Sequence, residues 1–360
     1  MKYDVWLNRV RGISNKKKIK MCDTFGSAKA LFFTDETSLI KYNVITKDER
    51  DLLYDKRGRN TVEEEYKRLL HKKVEFYPYY HEKYPRRLSN IHDKPFGIYV
   101  KGATPGEVSP CAAIVGARNC SSYGEIMAAQ IAEELSDYGV HVISGLARGI
   151  DAAGHRGCLN GGGKTFAVLG SGVNVCYPRE NKGLYEDVIK TGGIISEFNL
   201  DEPPLKTHFP ARNRIISSLC DVLIVIEAKA RSGSLITADF ALEHGKDIYA
   251  LPGPVTSDLS YGCNNLIRQG AGIITSAKEL IDELKINTKK SIKKQVEKKI
   301  MLETVENIVY SCLDFYPKNF EQISLEVNMG VSELMNELIS LELKGYIEEI
   351  SKNYYVKCKL

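Results

Sequence analysis

No two of the nine cysteines, at positions 22, 111, 120, 158, 176, 220, 263, 312 and 358, form a C-x-x-C pair, and their number is odd. That argues against a zinc ribbon or a disulfide framework, and thiols sitting mostly among apolar neighbours read as reduced. No apolar run approaches the roughly 20 residues a membrane span requires, and Met1-Lys2-Tyr3-Asp4 offers no apolar signal core. The expectation is a cytoplasmic protein with no membrane partner. Charge is nearly balanced, 50 basic against 46 acidic side chains for a net +4, which by itself names no ligand. With 43% hydrophobic residues over 360 positions, the chain is long enough for two or three globular domains.

The fingerprint of a dinucleotide site is missing as well. Residues 112–151 read as strand (Ala112 to Val115), turn (Gly116-Ala117-Arg118-Asn119-Cys120-Ser121), helix to about Tyr138, strand (Val140 to Ile143) and a second turn from Ser144 and Gly145 to Asp151. In a parallel sheet the two turns lie side by side, so their glycines and the helix-start amides converge on a crevice suited to phosphate. A dinucleotide cofactor would need G-x-G-x-x-G after the first strand and an acid closing the second. Gly116-Ala117-Arg118 and Ser144-Gly145 supply neither, and Arg118 stands where cofactor phosphates would pass. Ser122 with Glu125 matches a capping box that fixes where the helix begins. Gly161-Gly162-Gly163-Lys164-Thr165 is no P-loop, because its first glycine falls on Cys158 and Lys164-Thr165 leads into a strand. A hairpin-like connection is expected there, without nucleotide hydrolysis. No cofactor or metal is expected anywhere in the chain.

Residues 2 to about 70 read as short helices. The segment from Arg11 to Lys18 resembles the hairpin of helix-hairpin-helix proteins, which presents amides to DNA phosphate. The usual Pro-Gly-x-Gly is Arg11-Gly12-Ile13-Ser14 here, and a plain helical packing module is the simpler reading. Strands at 74–78 and 97–100 should extend a central sheet, and from Cys111 to about Leu284 strand runs alternate with helical patterns. Such alternation predicts an α/β fold with a doubly wound parallel sheet. Lys206, Arg212, Asn213 and Arg214 flank Phe209 just before a helix. Charge that tracks a backbone, beside a ring that stacks on any base, is what single-stranded nucleic acid requires. For Arg214, next to Ile215 and Ile216, pairing with a nearby carboxylate is an equal alternative. Residues 285–299 hold seven lysines and one glutamate and read as a solvated linker. Beyond Ile300, three helical patterns and two terminal strands predict a winged helix.

Taken together, Val115-Gly116-Ala117-Arg118 with Tyr123-Gly124, Ser144 to Asp151, Phe209-Pro210-Ala211-Arg212-Asn213-Arg214-Ile215-Ile216, Arg231 to Ala238 and Gly262 to Gly270 resemble the DprA/Smf DNA-processing proteins of natural transformation. The likeness covers about residues 75–284. It implies an extended Rossmann-like domain over 71–284, a SAM-like helical domain over 1–70, a basic linker over 285–299 and a winged helix over 300–360. It further implies a non-catalytic protein that binds and protects single-stranded DNA, helps to load RecA recombinase, and forms a homodimer toward the C-terminal side of the Rossmann domain, near Leu266 and Ile267. The DNA-binding residues expected from the two readings are Gly116, Arg118, Ser121, Ser122, Gly145, Lys206, Phe209, Arg212, Asn213 and Arg214. The competing class is a nucleotide-binding or nucleotide-hydrolysing Rossmann protein similar to the phosphoribohydrolases, which carry G-G-x-G-T-x-x-E. Aligned on Gly233-Ser234, their glutamate position is Thr237, so the proton-transfer group is absent.

Overall fold

The computed structural model describes residues 1–41, 45–285, 304–314 and 317–358. The expected basic linker therefore lies outside the described residues, apart from Lys285. The chain divides into two compact units, a large one made of Met1–Cys120 with Gly124–Ser291 and a small one made of Ser121–Tyr123 with Ile292–Leu360.

The large unit opens with helices α1 (Lys2–Arg9), α2 (Asn15–Phe25), α3 (Ala28–Phe33), α4 (Glu36–Lys41), α5 (Lys47–Leu53), α6 (Lys56–Asn60) and α7 (Val62–His71). Strand β1 (Glu75–Pro78), helix α8 (Arg86–Ser89) and strand β2 (Gly97–Gly102) follow. Then strands and helices alternate through β3 (Cys111–Gly116), α9 (Ser122–Asp137), β4 (His141–Ser144), α10 (Ile150–Asn160), β5 (Thr165–Val168), α11 (Lys182–Thr191), β6 (Gly193–Ser196) and α12 (His208–Leu219). The unit closes with β7 (Val222–Ile226), α13 (Gly233–Glu243), β8 (Asp247–Ala250), α14 (Tyr261–Arg268), β9 (Gly272–Ile273) and α15 (Ala277–Glu283).

All nine strands join one sheet in the order β1-β2-β6-β5-β4-β3-β7-β8-β9. Strands β3 to β9 are parallel, as the alternation predicts, whereas β2 pairs antiparallel with both β1 and β6. This is an α/β Rossmann-like architecture. Side chains alternate between faces along each strand: Phe76, Tyr99, Ala167 and Ile194 enter one buried cluster, while Tyr77, Ile98, Phe166 and Ile195 enter another. The first cluster also takes Val5, Leu7, Met21, Leu31, Leu53 and Leu69, so the N-terminal helices share a core with the sheet. The hairpin between α1 and α2 is engaged within the protein. Arg11 pairs with Glu202 and Lys17 with Glu49, while buried Lys18 donates to the Asn8 carbonyl at 2.7 Å.

One expectation is corrected. β4 and β5 are parallel and joined by α10, so residues 161–164 form a helix-to-strand turn rather than a hairpin. Gly163 N donates back to the Cys158 carbonyl at 2.9 Å, closing that turn on the helix end.

In the small unit, α16 (Thr304–Cys312), α17 (Phe320–Val327) and α18 (Val331–Leu343) surround a core of Val309, Leu313, Ile323, Leu334, Leu338 and Leu341. Strand β10 (Lys318–Asn319) pairs with β12 (Tyr354–Lys357), which also pairs antiparallel with β11 (Ile347–Ser351).

Candidate nucleic-acid interface

Strand order reverses beside β3. The chain moves outward through β4, β5 and β6, then returns to lay β7 on the other side of β3. In open α/β sheets the ends of such strands diverge there and leave a crevice. A crevice of about 830 Å³ opens at this point, lined by the turn after β3 (Gly116, Ala117, Arg118), Ala147 of the turn after β4, Asp151 in the first turn of α10, and Lys229 and Arg231 to Ser234 after β7. Further lining comes from α12, from Tyr177, Pro204 and Lys206 before it, and from Ile236, Thr237 and Leu259. Gly116 is required at the base: a Cβ there would stand 1.8 Å from the Ile226 carbonyl oxygen on β7.

Helix α12 presents Phe209, Arg212, Asn213 and Ile216 to the crevice. These positions are i, i+3, i+4 and i+7, one helical face. Phe209 is half-buried, its ring against Gly170, where a Cβ would stand 2.9 Å from the ring, and 5.7 Å from the Tyr177 ring. The exposed Arg118 guanidinium lies 5.1 Å from the Phe209 centroid, within cation–π range. Exposed Lys206 sits one turn before the ring.

Arg212 has another task. It is 4% exposed, and its Nη1 donates to the Gly145 carbonyl at 2.8 Å and to the Val168 carbonyl. Gly145 makes room for it, since a Cβ would fall 2.3 Å from Nη1. The Asp151 carboxylate is its charge partner and accepts from the Gly145 amide at 3.1 Å and the Ala147 amide at 3.4 Å. Burial pulls the Arg212 guanidinium down from its ordinary value, against the pull of Asp151, and leaves it well above neutral pH. Burial likewise raises the Asp151 carboxyl, opposed by Arg212 and by those amides. Asn213 accepts from Arg212 Nε at 3.1 Å and donates to the Gly233 carbonyl at 3.2 Å, tying α12 to the start of α13.

The structure thus brings Gly116, Arg118, Lys206, Phe209, Arg212 and Asn213 to one crevice. Gly145 lies behind it, under Arg212. Ser121 and Ser122, at the start of α9, are not among the residues lining it. Arg214 turns away: it is buried, and its guanidinium donates to Glu197 at 2.6 Å and to Asp93 at 3.2 Å, in keeping with the carboxylate alternative. Among the lining residues beyond the expected set are exposed Lys229 and Arg231 after β7, and Tyr177. The sequence signal for Lys229 and Arg231 is a second basic, small-residue turn leaving a strand. The lining then counts Arg118, Lys206, Arg212, Lys229 and Arg231 against the single buried carboxylate of Asp151. Such a crevice attracts a polyanion. Among the described residues, no group of three or more His, Cys, Asp or Glu side chains converges as a metal site, and no helix is long and apolar enough to cross a membrane.

Residues 75–285, which include every residue lining the crevice, match the family model of DNA recombination-mediator protein A. The chain belongs to that family, the DprA/Smf proteins. DNA processing protein DprA of Streptococcus pneumoniae is 45% identical over 200 residues, 56% of this chain and 71% of the relative. Protein Smf of Escherichia coli is 36% identical over 281 residues, 76% of this chain and 75% of the relative. The solved structure of the Streptococcus pneumoniae DprA superimposes with a TM-score of 0.63 at 34% identity, over 79% of this chain and 98% of that one. DNA processing protein A from Helicobacter pylori, described for its single-stranded DNA binding mode, gives 0.53 at 27% identity, over 59% of this chain and 95% of that one. The family match begins at β1, so the antiparallel β1 and β2 belong to the family segment while the N-terminal helices precede it.

Proposed function

We propose that this protein binds single-stranded DNA in the crevice beside β3, without choosing bases, and acts in DNA processing during natural transformation. The observation that carries the reading is the half-buried Phe209 ring set among Arg118, Lys206, Lys229 and Arg231 at the switch point. A ring stacks on any base, and the surrounding cations follow a backbone of any sequence. The family relationship, with a single-strand-binding relative of similar fold, supports the same conclusion. Gly116, Arg118, Lys206, Phe209 and Asn213 contact the strand in this proposal, with Ser121 and Ser122 flanking it, and Arg212 and Gly145 hold the floor. Arg214 positions α12 from behind.

The protein protects incoming DNA and helps to load RecA, as a homodimer formed toward the C-terminal side of the Rossmann domain, in the cytoplasm. It is not an enzyme in this reading. Thr237, 1% exposed, stands at the position of the phosphoribohydrolase glutamate and offers no carboxylate for proton transfer. The N-terminal helices form a SAM-like module, and the three helices and three strands of the small unit form a winged helix. The test is a binding titration of single- and double-stranded oligonucleotides over a range of salt. Preference for the single strand, with log affinity falling by about 0.7 per neutralised phosphate against log salt, is the expected result. Equal affinity for duplex would overturn it.

A further inference from the structure

Next to the crevice, sharing Arg118 with it but not Phe209, a second pocket of about 370 Å³ opens at the start of α10. It shares Arg118 and Asn119 with the crevice and adds Arg148 and Arg156. Both added arginines are exposed. Two carboxylates also reach it, Glu125 and Glu180. Glu180 takes Arg148 in a fork, with Nη2 to Oε2 at 2.8 Å and Nε to Oε1 beside it. This fork is half open to solvent, its side chains 57% and 52% exposed, and exposed pairs of this kind contribute little to stability. A guanidinium fork accepts a phosphate in the same bidentate geometry as a carboxylate.

We infer that this pocket is a second phosphate subsite, in which a DNA strand leaving the crevice past Arg118 displaces Glu180 from Arg148 and is held by Arg148 and Arg156. The inference rests on the crevice being the single-strand site, and it adds a direction to that site: the strand continues over the start of α10. Glu180 is then a resident competitor. It keeps the Arg148 fork aligned in free protein and yields it to a phosphate, so the subsite serves only strands long enough to reach it.

Two oligothymidines test this, one of about 4 nucleotides that fills the crevice and one of about 16 that runs beyond it. For Arg148→Gln with Arg156→Gln in the full-length protein, the long strand should lose affinity, and its salt slope should flatten by about 0.7 for each phosphate contact removed. The short strand should bind as before. Glu180→Gln should tighten the long strand by about two- to fivefold, the range over which exposed ion pairs couple, and leave the short one alone. An unchanged slope for the long strand in the double arginine variant overturns the subsite, as does an equal loss for both lengths. Arg118→Gln is the separate control for the crevice: it should weaken both lengths, and if it weakens neither, the crevice reading itself fails.

Discussion

Replacing Phe209 by alanine removes the ring but none of the crevice's cations, and so separates stacking from charge. Base–aromatic stacking contributes about 1 to 3 kcal/mol. Here the Arg118 guanidinium already lies 5.1 Å from the ring centroid, a contact of about 0.5 to 1 kcal/mol at an exposed site that an incoming base must share or replace. The net loss should therefore fall near 1 to 2 kcal/mol, about 5- to 30-fold in Kd. Fluorescence anisotropy with a labelled oligothymidine at four or more salt concentrations reads both quantities. Affinity should drop by that factor while the slope of log affinity against log salt stays put, because no phosphate contact is lost. Phe209→Trp should retain binding and Phe209→Leu should not, since leucine fills the volume against Gly170 without a stacking face. Combining Phe209→Ala with Arg118→Ala should cost less than the sum, as the two groups touch. A loss under twofold in a folded Phe209→Ala protein, or a leucine variant that binds like the original, would refute the stacking argument.

Arg214→Ala removes the buried partner of the Glu197 carboxylate, whose side chain is 11% exposed, and breaking such a largely buried pair costs about 3 to 5 kcal/mol; urea unfolding should show that loss, with the salt slope for DNA unchanged. His155, fully buried with Nδ1 2.6 Å from Thr165 Oγ1, is pushed down by burial from 6.5 to about 3, so the folded state binds fewer protons than the unfolded one. Its contribution is complete above about pH 6.5 and is lost as pH falls toward 3. Unfolding curves between those limits should be flatter with pH in His155→Leu than in the parent. Purified protein should release neither phosphate from ATP nor base from nucleoside monophosphates above a blank, and release that a Gly233 substitution abolishes would argue for the hydrolase class. Residues 301–360 carry ten acidic side chains against five lysines, and α18 carries Glu333, Glu337 and Glu342, so this segment repels phosphate. A chain ending near Ile300 should keep single-strand affinity within a few fold, and a large loss would give the small unit a DNA-binding role.

Much of the α/β core was legible because its strands are short apolar runs between turn residues, and the β3–α9–β4 unit follows from Ala112 to Ser144 directly. The antiparallel placement of β2 beside β6 was not, since no local pattern records which strand a sheet edge accepts. Within the crevice, Arg118 and Phe209 could be read from their neighbours, a glycine turn and a basic cluster. Arg212 and Arg214 looked alike in the sequence, yet two residues along a helix is about 200° of rotation. One guanidinium therefore enters the crevice floor and the other faces Glu197 and Asp93. Spacing from Phe209 at i+3 and i+4 already separates Arg212 and Asn213 from Arg214. Tyr177, Lys229 and Arg231 reach the site only through the path of the chain between distant strands, which spacing does not encode.

The Arg212 fastening bears on where disorder is lost when a strand enters the proposed site. One guanidinium gathers the carbonyls of Gly145 and Val168 beside the carboxylate of Asp151, joining the turns after β4 and β5 to α10 and α12 before any ligand is present. A floor fixed in advance has little conformational freedom left to surrender, so the entropic penalty of association falls mainly on the flexible strand and on the few exposed side chains above it. Loosening that floor, as with any side chain at Gly145, would make each encounter begin by reassembling it, and the defect would show as slower capture of the strand rather than as a missing contact.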